Sequence, residues 1–120
     1  MSHAAISLGG NLGSVAENFR MAIDRLSSAG IEIQQKSAIF RTAAVGESTG
    51  DYHNAAAILQ TSLSPDHLLQ TLNETESTLG RVRNGNWSAR TLDLDILWYD
   101  DVVCETPRLT LPHPACWYRR

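Results

Sequence analysis

The residues best suited to chemistry lie in Thr91-Leu92-Asp93-Leu94-Asp95-Ile96. On a strand, side chains alternate between faces, so Asp93 and Asp95 project together while Leu92, Leu94 and Ile96 point into a core. Neighbouring carboxylates repel, and oxygen-only donors of this kind suit Mg²⁺ shared with phosphate groups. The same D-x-D spacing also fits a solvated strand face. Just before it, Arg81, Arg83 and Arg90 accompany Gly80, Gly85 and Trp87, and no acidic residue intervenes between Glu76 and Asp93. These arginines suit ion pairing with the carboxylates. The alternative is a mobile arginine-bearing loop that closes over a nucleotide whose magnesium sits on the two aspartates.

Other segments supply further material. Tyr52, His53 and Asn54 place an aromatic ring beside an amide that both donates and accepts, which suits a flat heterocycle as well as ordinary edge packing. In Arg108-Leu109-Thr110-Leu111-Pro112-His113, an extended backbone puts Arg108 and Thr110 on one face. Gly9-Gly10-Asn11-Leu12-Gly13 is neither G-x-G-x-x-G nor a P-loop, because Leu8 holds the first glycine's place and no G-K-[ST] follows. It reads as a tight strand-to-helix connection.

Composition narrows the setting for these groups. The chain has 120 residues with 42% hydrophobic and 19% charged side chains and a formal charge of −3, which fits a single domain spanning 1–120. Mild acidity argues against a nucleic-acid partner. No apolar run approaches the ~20 residues of a membrane span. No signal-peptide pattern opens the sequence, so a cytoplasmic location is expected. Cys104 and Cys116 have no C-x-x-C partner and read as reduced thiols. Lys36 is the only lysine among 10 basic residues. The rest are arginine, whose planar fork suits phosphate or carboxylate, so an anionic ligand is expected.

The elements that must position these groups follow from periodicity. His3–Leu8 reads as a buried strand. Ser14 and Glu17 form a capping box for a helix bearing Phe19, Ala22, Ile23 and Leu26, which Gly30 stops. Residues 31–40 alternate imperfectly as one strand, Ala43–Gly50 forms a loop, and Tyr52–Thr61 forms a second long strand hairpinned to the first. Ser64-Pro65 opens a second helix, with Leu68, Leu69, Leu72, Glu76 and Leu79 on one face, ending at Gly80. Leu92–Tyr99 is again strand-like. The order is that of a ferredoxin-like βαββαβ sandwich: an α+β fold with an antiparallel sheet and helices on one face.

Taken in order, these motifs resemble the 6-hydroxymethyl-7,8-dihydropterin pyrophosphokinase family of folate biosynthesis. The resemblance runs through Leu8-Gly9-Gly10-Asn11-Leu12-Gly13, Phe40-Arg41-Thr42, Asp51-Tyr52-His53-Asn54-Ala55, Gly80-Arg81-Val82-Arg83, Trp87 with Arg90–Ile96, and Arg108–His113. It implies transfer of a pyrophosphoryl group from ATP to the pterin's hydroxymethyl oxygen, with AMP leaving. Asp93 and Asp95 would hold two Mg²⁺, and Arg81 and Arg90 would stabilise charge on the β-phosphate. Asn73, Glu76, Arg83, Trp87, Ile96, Arg108, Thr110, His113 and Arg119 would serve ATP. Thr42, Val45, Tyr52 and Asn54 would serve the reduced pterin.

Departures from the pattern are specific. Ala43 and Ala44 stand where the family has prolines, Asn86 stands where a basic residue is common, and Gly10 replaces a serine. The family's Arg-x-Phe segment is matched only by Arg119, with Trp117 or Tyr118 left to supply a stacking ring, so a C-terminally short member is expected. Those two aromatic residues either pack back on the core or meet a second copy in a homodimer. A non-catalytic relative that binds pterin or nucleotide as a sensor or subunit is the competing expectation.

Overall fold

The computed structural model describes residues 1–10, 15–42, 52–81 and 92–113. Its elements are β1 (Ser2–Gly10), α1 (Val15–Ser28), β2 (Glu32–Lys36), β3 (Phe40–Thr42), β4 (Tyr52–Thr61), α2 (Pro65–Arg81), β5 (Asp93–Tyr99), β6 (Cys104–Glu105) and β7 (Thr110–Leu111). The main sheet runs β2-β4-β1-β5, with β3 also paired to β4, and β6-β7 form a separate ribbon. All pairings are antiparallel. The α+β ferredoxin-like sandwich read from the sequence is therefore the observed fold. No helix among the described residues is long and apolar enough to cross a membrane.

Alternation explains the layering. Ala4, Ile6 and Leu8 of β1, Ala57 and Leu59 of β4, and Leu94 and Ile96 of β5 are buried on one sheet face with Phe19, Ala22, Leu26, Leu68, Leu72 and Leu79 of the two helices. Each such leucine, isoleucine or phenylalanine contributes roughly 1.5–3 kcal/mol through burial, and each alanine less.

The helix ends are made as the local residues dictate. Ser64 caps α2, its Oγ accepting the His67 amide at 3.2 Å, and Pro65 occupies the first helical position. At the C-terminal end of α1, the Ile31 amide donates to the Leu26 carbonyl and the Gly30 amide to the Ser27 carbonyl, both at 3.1 Å. This is a Schellman motif, with buried Leu26 and Ile31 forming its apolar closure. Ser14 lies outside the described residues.

Three sequence expectations are corrected. The strand expected over 31–40 is two strands, because the Ser37 hydroxyl accepts the Ala56 amide at 2.9 Å and donates to the Ala38 carbonyl, interrupting the backbone ladder. A bulge between Ile33 and Gln35 accounts for the imperfect alternation there. Regular alternation over Leu92–Tyr99 also fails. The β1–β5 register passes from Ile6↔Ile96 to Ala5↔Trp98, so Leu97 is inserted as a bulge and Tyr99, not Trp98, shares the core face with Ile96. Finally, α2 runs one residue past Gly80, to Arg81.

Gly30 adopts φ +88°, with nothing within 4 Å of where a Cβ would sit. Its requirement is conformational, not steric. Gly30→Ala should lower stability by about 1 kcal/mol and Gly30→Asn by less, measured by urea unfolding; equal losses for both would contradict this origin.

Candidate active site

The site is organised by β1 and the outer edge of β5. Gly9 pairs with Asn54 of β4 on one side and with Asp93 of β5 on the other. Asn54, Gly9 and Asp93 thus form a row across three strands on the face turned away from the helices, with the outer Cα atoms roughly 10 Å apart. Gly9 places no side chain between the amide and the carboxylate. The next row is Ala56, Ser7 and Asp95. Asp93 and Asp95 are both partly buried, so the shared face expected from D-x-D is formed.

A third carboxylate joins them from α2. Glu76 is the polar residue on a helix face otherwise made by Leu68, Leu69, Leu72 and Leu79. Its Oε2 accepts the Leu94 amide at 2.5 Å, reaching the edge of β5. Burial, together with the neighbouring charges of Asp93 and Asp95 and a hydrogen bond with Asp93, pushes the Glu76 carboxyl up to about 7, although the Leu94 amide favours its ionised form. Three carboxylates converge, and the protein holds one of them near its protonation midpoint at neutral pH.

Beside this cluster, a cleft of about 230 Å³ is lined by Asp95 and Ile96 of β5, Leu69 of α2, and Arg108, Thr110 and His113. Its outer wall is the β6–β7 ribbon. The Leu97 bulge turns its carbonyl to the outer edge, where it accepts the His113 amide at 2.7 Å. The ribbon is thereby fastened to β5. Arg108 also lines an adjoining recess with Gln70, Asn73, Glu74, Ser77 and Thr78. Arg108 lies in the turn between β6 and β7 and not on an extended strand, which corrects the simple alternation with Thr110.

Of the residues singled out in the sequence, Asp93, Asp95, Ile96, Glu76, Asn73, Arg108, Thr110 and His113 therefore gather along one edge. Asn54 stands across Gly9 from Asp93. Thr42 and Tyr52 are cross-strand partners at the same end of the sheet. Arg81 ends α2, while Val45, Arg83, Trp87, Arg90 and Arg119 lie outside the described residues. Sequence reasoning passed over Leu69 and Thr106, which also line the cleft. Leu69 looked like one more leucine on the helix face, and Thr106 belongs to no motif.

No group of three or more His, Cys, Asp or Glu is placed to hold a metal ion unaided among the described residues. A pair of hard oxygen donors does suit a magnesium ion that takes its remaining ligands from phosphates and water.

Fold and site together define a small α+β protein with a carboxylate-edged cleft suited to a polyanion. A family model described as 7,8-dihydro-6-hydroxymethylpterin-pyrophosphokinase matches residues 5–120. The chain belongs to this family. It is 46% identical over 117 residues to a 2-amino-4-hydroxy-6-hydroxymethyldihydropteridine pyrophosphokinase of Synechocystis sp., which covers 97% of this chain and 60% of that protein. A Pseudomonas putida protein of the same name is 40% identical over 111 residues, covering 92% of each chain. A Haemophilus influenzae protein of the same name is 38% identical over 115 residues, covering 94% of this chain and 72% of that one. Among solved structures, an unknown protein from Galdieria sulphuraria superposes with a TM-score of 0.51 at 11% identity, over 79% of this chain and 48% of that one, a likeness of fold alone.

The raised Glu76 carboxyl links site to stability. Between pH 4.5 and about 7 the folded protein holds a proton that the unfolded chain releases, so stability falls as pH rises through that window and is unpenalised below it. Glu76→Gln keeps an acceptor for the Leu94 amide and carries no charge. Without divalent cations it should stabilise the protein by roughly 1–3 kcal/mol at pH 8 and hardly at all at pH 4, by chemical denaturation. A pH-independent effect would contradict the assignment.

Proposed function

We propose that this protein transfers a pyrophosphoryl group from ATP to the hydroxymethyl oxygen of 6-hydroxymethyl-7,8-dihydropterin. The observation that carries the reading is the row Asn54, Gly9, Asp93, with the cleft of Asp95, Arg108, Thr110 and His113 beside it. Family membership supports the same substrates. In the reaction, a bond forms between the hydroxymethyl oxygen and the β-phosphorus, the bridge to the α-phosphorus breaks, the hydroxyl proton is lost and AMP departs.

In this reading the pterin lies at the Asn54 end, with Thr42, Val45 and Tyr52 lining it. The amide of Asn54 both donates and accepts, so it fits the mixed edge of a pterin ring. The triphosphate runs from Asp93 and Asp95 into the cleft, where Ile96 and Leu69 offer apolar surface and Arg108, Thr110 and His113 offer donors to anionic oxygens. Asn73, Glu76 and Arg119 complete the nucleotide side, together with Arg83 and Trp87. Arg81 and Arg90 bring positive charge to the β-phosphate in the transition state.

Asp93 and Asp95 are the residues that would hold two magnesium ions. When bound, these ions neutralise the triphosphate and make the attacking hydroxyl more acidic. Gly9 lets the two substrates meet above the sheet without an intervening side chain, so the approach of oxygen to phosphorus is set by the strand register. The reading carries with it a single domain over residues 1–120 and a cytoplasmic setting, with Trp117 and Tyr118 either packing back on the core or meeting a second copy in a homodimer.

The test is AMP release measured with ATP, the reduced pterin and Mg²⁺, omitting each in turn. AMP should appear only when all are present, and Asp93→Asn and Asp95→Asn should each slow it about 100-fold or more. Binding of both substrates by the intact protein without any AMP would overturn catalysis and leave the sensor or subunit reading.

A further inference from the structure

Among the described residues, Arg108 alone lines both the cleft beside Asp95 and the recess along α2. Its side chain is exposed and makes no ion pair among the described residues. What fixes its position is therefore the backbone that carries it.

That backbone is a two-residue hairpin loop, Pro107-Arg108, closed by Thr106 and Leu109. The Thr106 amide donates to the Leu109 carbonyl at 2.9 Å and the Leu109 amide to the Thr106 carbonyl at 3.3 Å. Two-residue hairpins favour turns with positive φ at one or both loop positions, because those match strand twist. Proline cannot adopt positive φ. Among described non-glycine residues only Asp100 does, at 47°, so Arg108 does not supply it either. The loop is thus of the kind that tends to splay its strands.

Thr106 compensates with its side chain. Its Oγ1 donates to the Leu109 carbonyl at 3.0 Å and also accepts the Leu109 amide at 3.0 Å. The long 3.3 Å backbone bond is thereby supplemented by a shorter one from the same amide. Leu109 itself is anchored in the core at 7% exposure, so the clamp joins the Arg108 turn to a fixed point.

We propose that Thr106 is a positioning residue for nucleotide binding: its hydroxyl clamps the Pro107-Arg108 turn and so holds the Arg108 guanidinium at the cleft. This rests on the nucleotide reading above. Loss of the hydroxyl should weaken nucleotide affinity without touching the pterin or the chemical step.

The experiment compares wild type with Thr106→Val, Thr106→Ser, Arg108→Ala and the double variant Thr106→Val/Arg108→Ala. It uses steady-state AMP release together with calorimetric binding of ATP in the presence of Mg²⁺. Thr106→Val should raise the KM and Kd for ATP about 3- to 10-fold, the scale of one lost hydrogen-bond clamp, with kcat and the pterin KM unchanged within about twofold. Thr106→Ser should restore wild-type values. On the Arg108→Ala background, Thr106→Val should add less than about twofold. An equal effect on both backgrounds, a parallel rise in the pterin KM, or no rise for ATP would overturn the proposal. Should wild type bind ATP but release no AMP, the catalytic reading falls, and the five ATP binding constants still decide the role of Thr106.

Discussion

The site depends on one constraint, the register of β1 between β4 and β5. Because side chains alternate along a strand, a slip of one residue would turn Leu94 and Ile96 outward and drive Asp93 and Asp95 into the apolar layer beneath the helices. Moving two leucine-sized groups into water forfeits roughly 1.5–3 kcal/mol each. Burying an unpaired carboxylate costs several more. Packing against α1 and α2 therefore aims the carboxylates, although neither aspartate belongs to the core. The same register sets Asn54 and Asp93 on either side of Gly9, so residues far apart in sequence share one row.

The outer edge of β5 would otherwise be a row of unpaired backbone groups, which sheets must cover. Here it is covered by groups that also build the site. Glu76 takes the Leu94 amide, and the bulge at Leu97 offers its carbonyl to the His113 amide. The bulge has a second effect. It shifts the phase of the strand, allowing Tyr99 to be buried with Ile96 and its hydroxyl to donate to the Leu63 carbonyl before α2 begins. One inserted residue thus secures the ribbon that carries Arg108 and seals the end of the sheet.

Much of this was legible in the sequence because it rests on short-range periodicity. Tyr52–Thr61 emerges with its predicted bounds, Pro65 starts α2, Gly30 stops α1, and the paired aspartates share a face. The features that escaped are those in which a side chain replaces backbone pairing or a strand gains a residue. Ser37 looks like an ordinary strand position until its hydroxyl intercepts the Ala56 amide. Leu97 is one apolar residue among several, and only pairing with β1 reveals it as the inserted one. Glu76 was visible as an anomaly on a leucine-rich face, but the group it serves lies on another element. The clustering of Arg108, Thr110 and His113 with Asp95 was likewise beyond periodicity, since two pairings, β6 with β7 and His113 with Leu97, create it.

The electrostatics of the edge bear on what can enter it. Two unit charges about 4 Å apart interact by about 4 kcal/mol at an effective dielectric of 20. Asp93, Asp95 and the ionised fraction of Glu76 therefore oppose a bare triphosphate at the edge where Arg108 attracts it. The elevated Glu76 carboxyl, raised first by burial, also carries the repulsion of Asp93 and Asp95. If Asp93 and Asp95 hold magnesium, the sign of the edge reverses. The repulsion among the carboxylates would then favour a metal-bound polyanion, and a nucleotide without its metal would be disfavoured by the residues proposed to bind the complex. Selectivity for the metal-bound form would then follow from spacing two acids on a strand and setting a third against its edge.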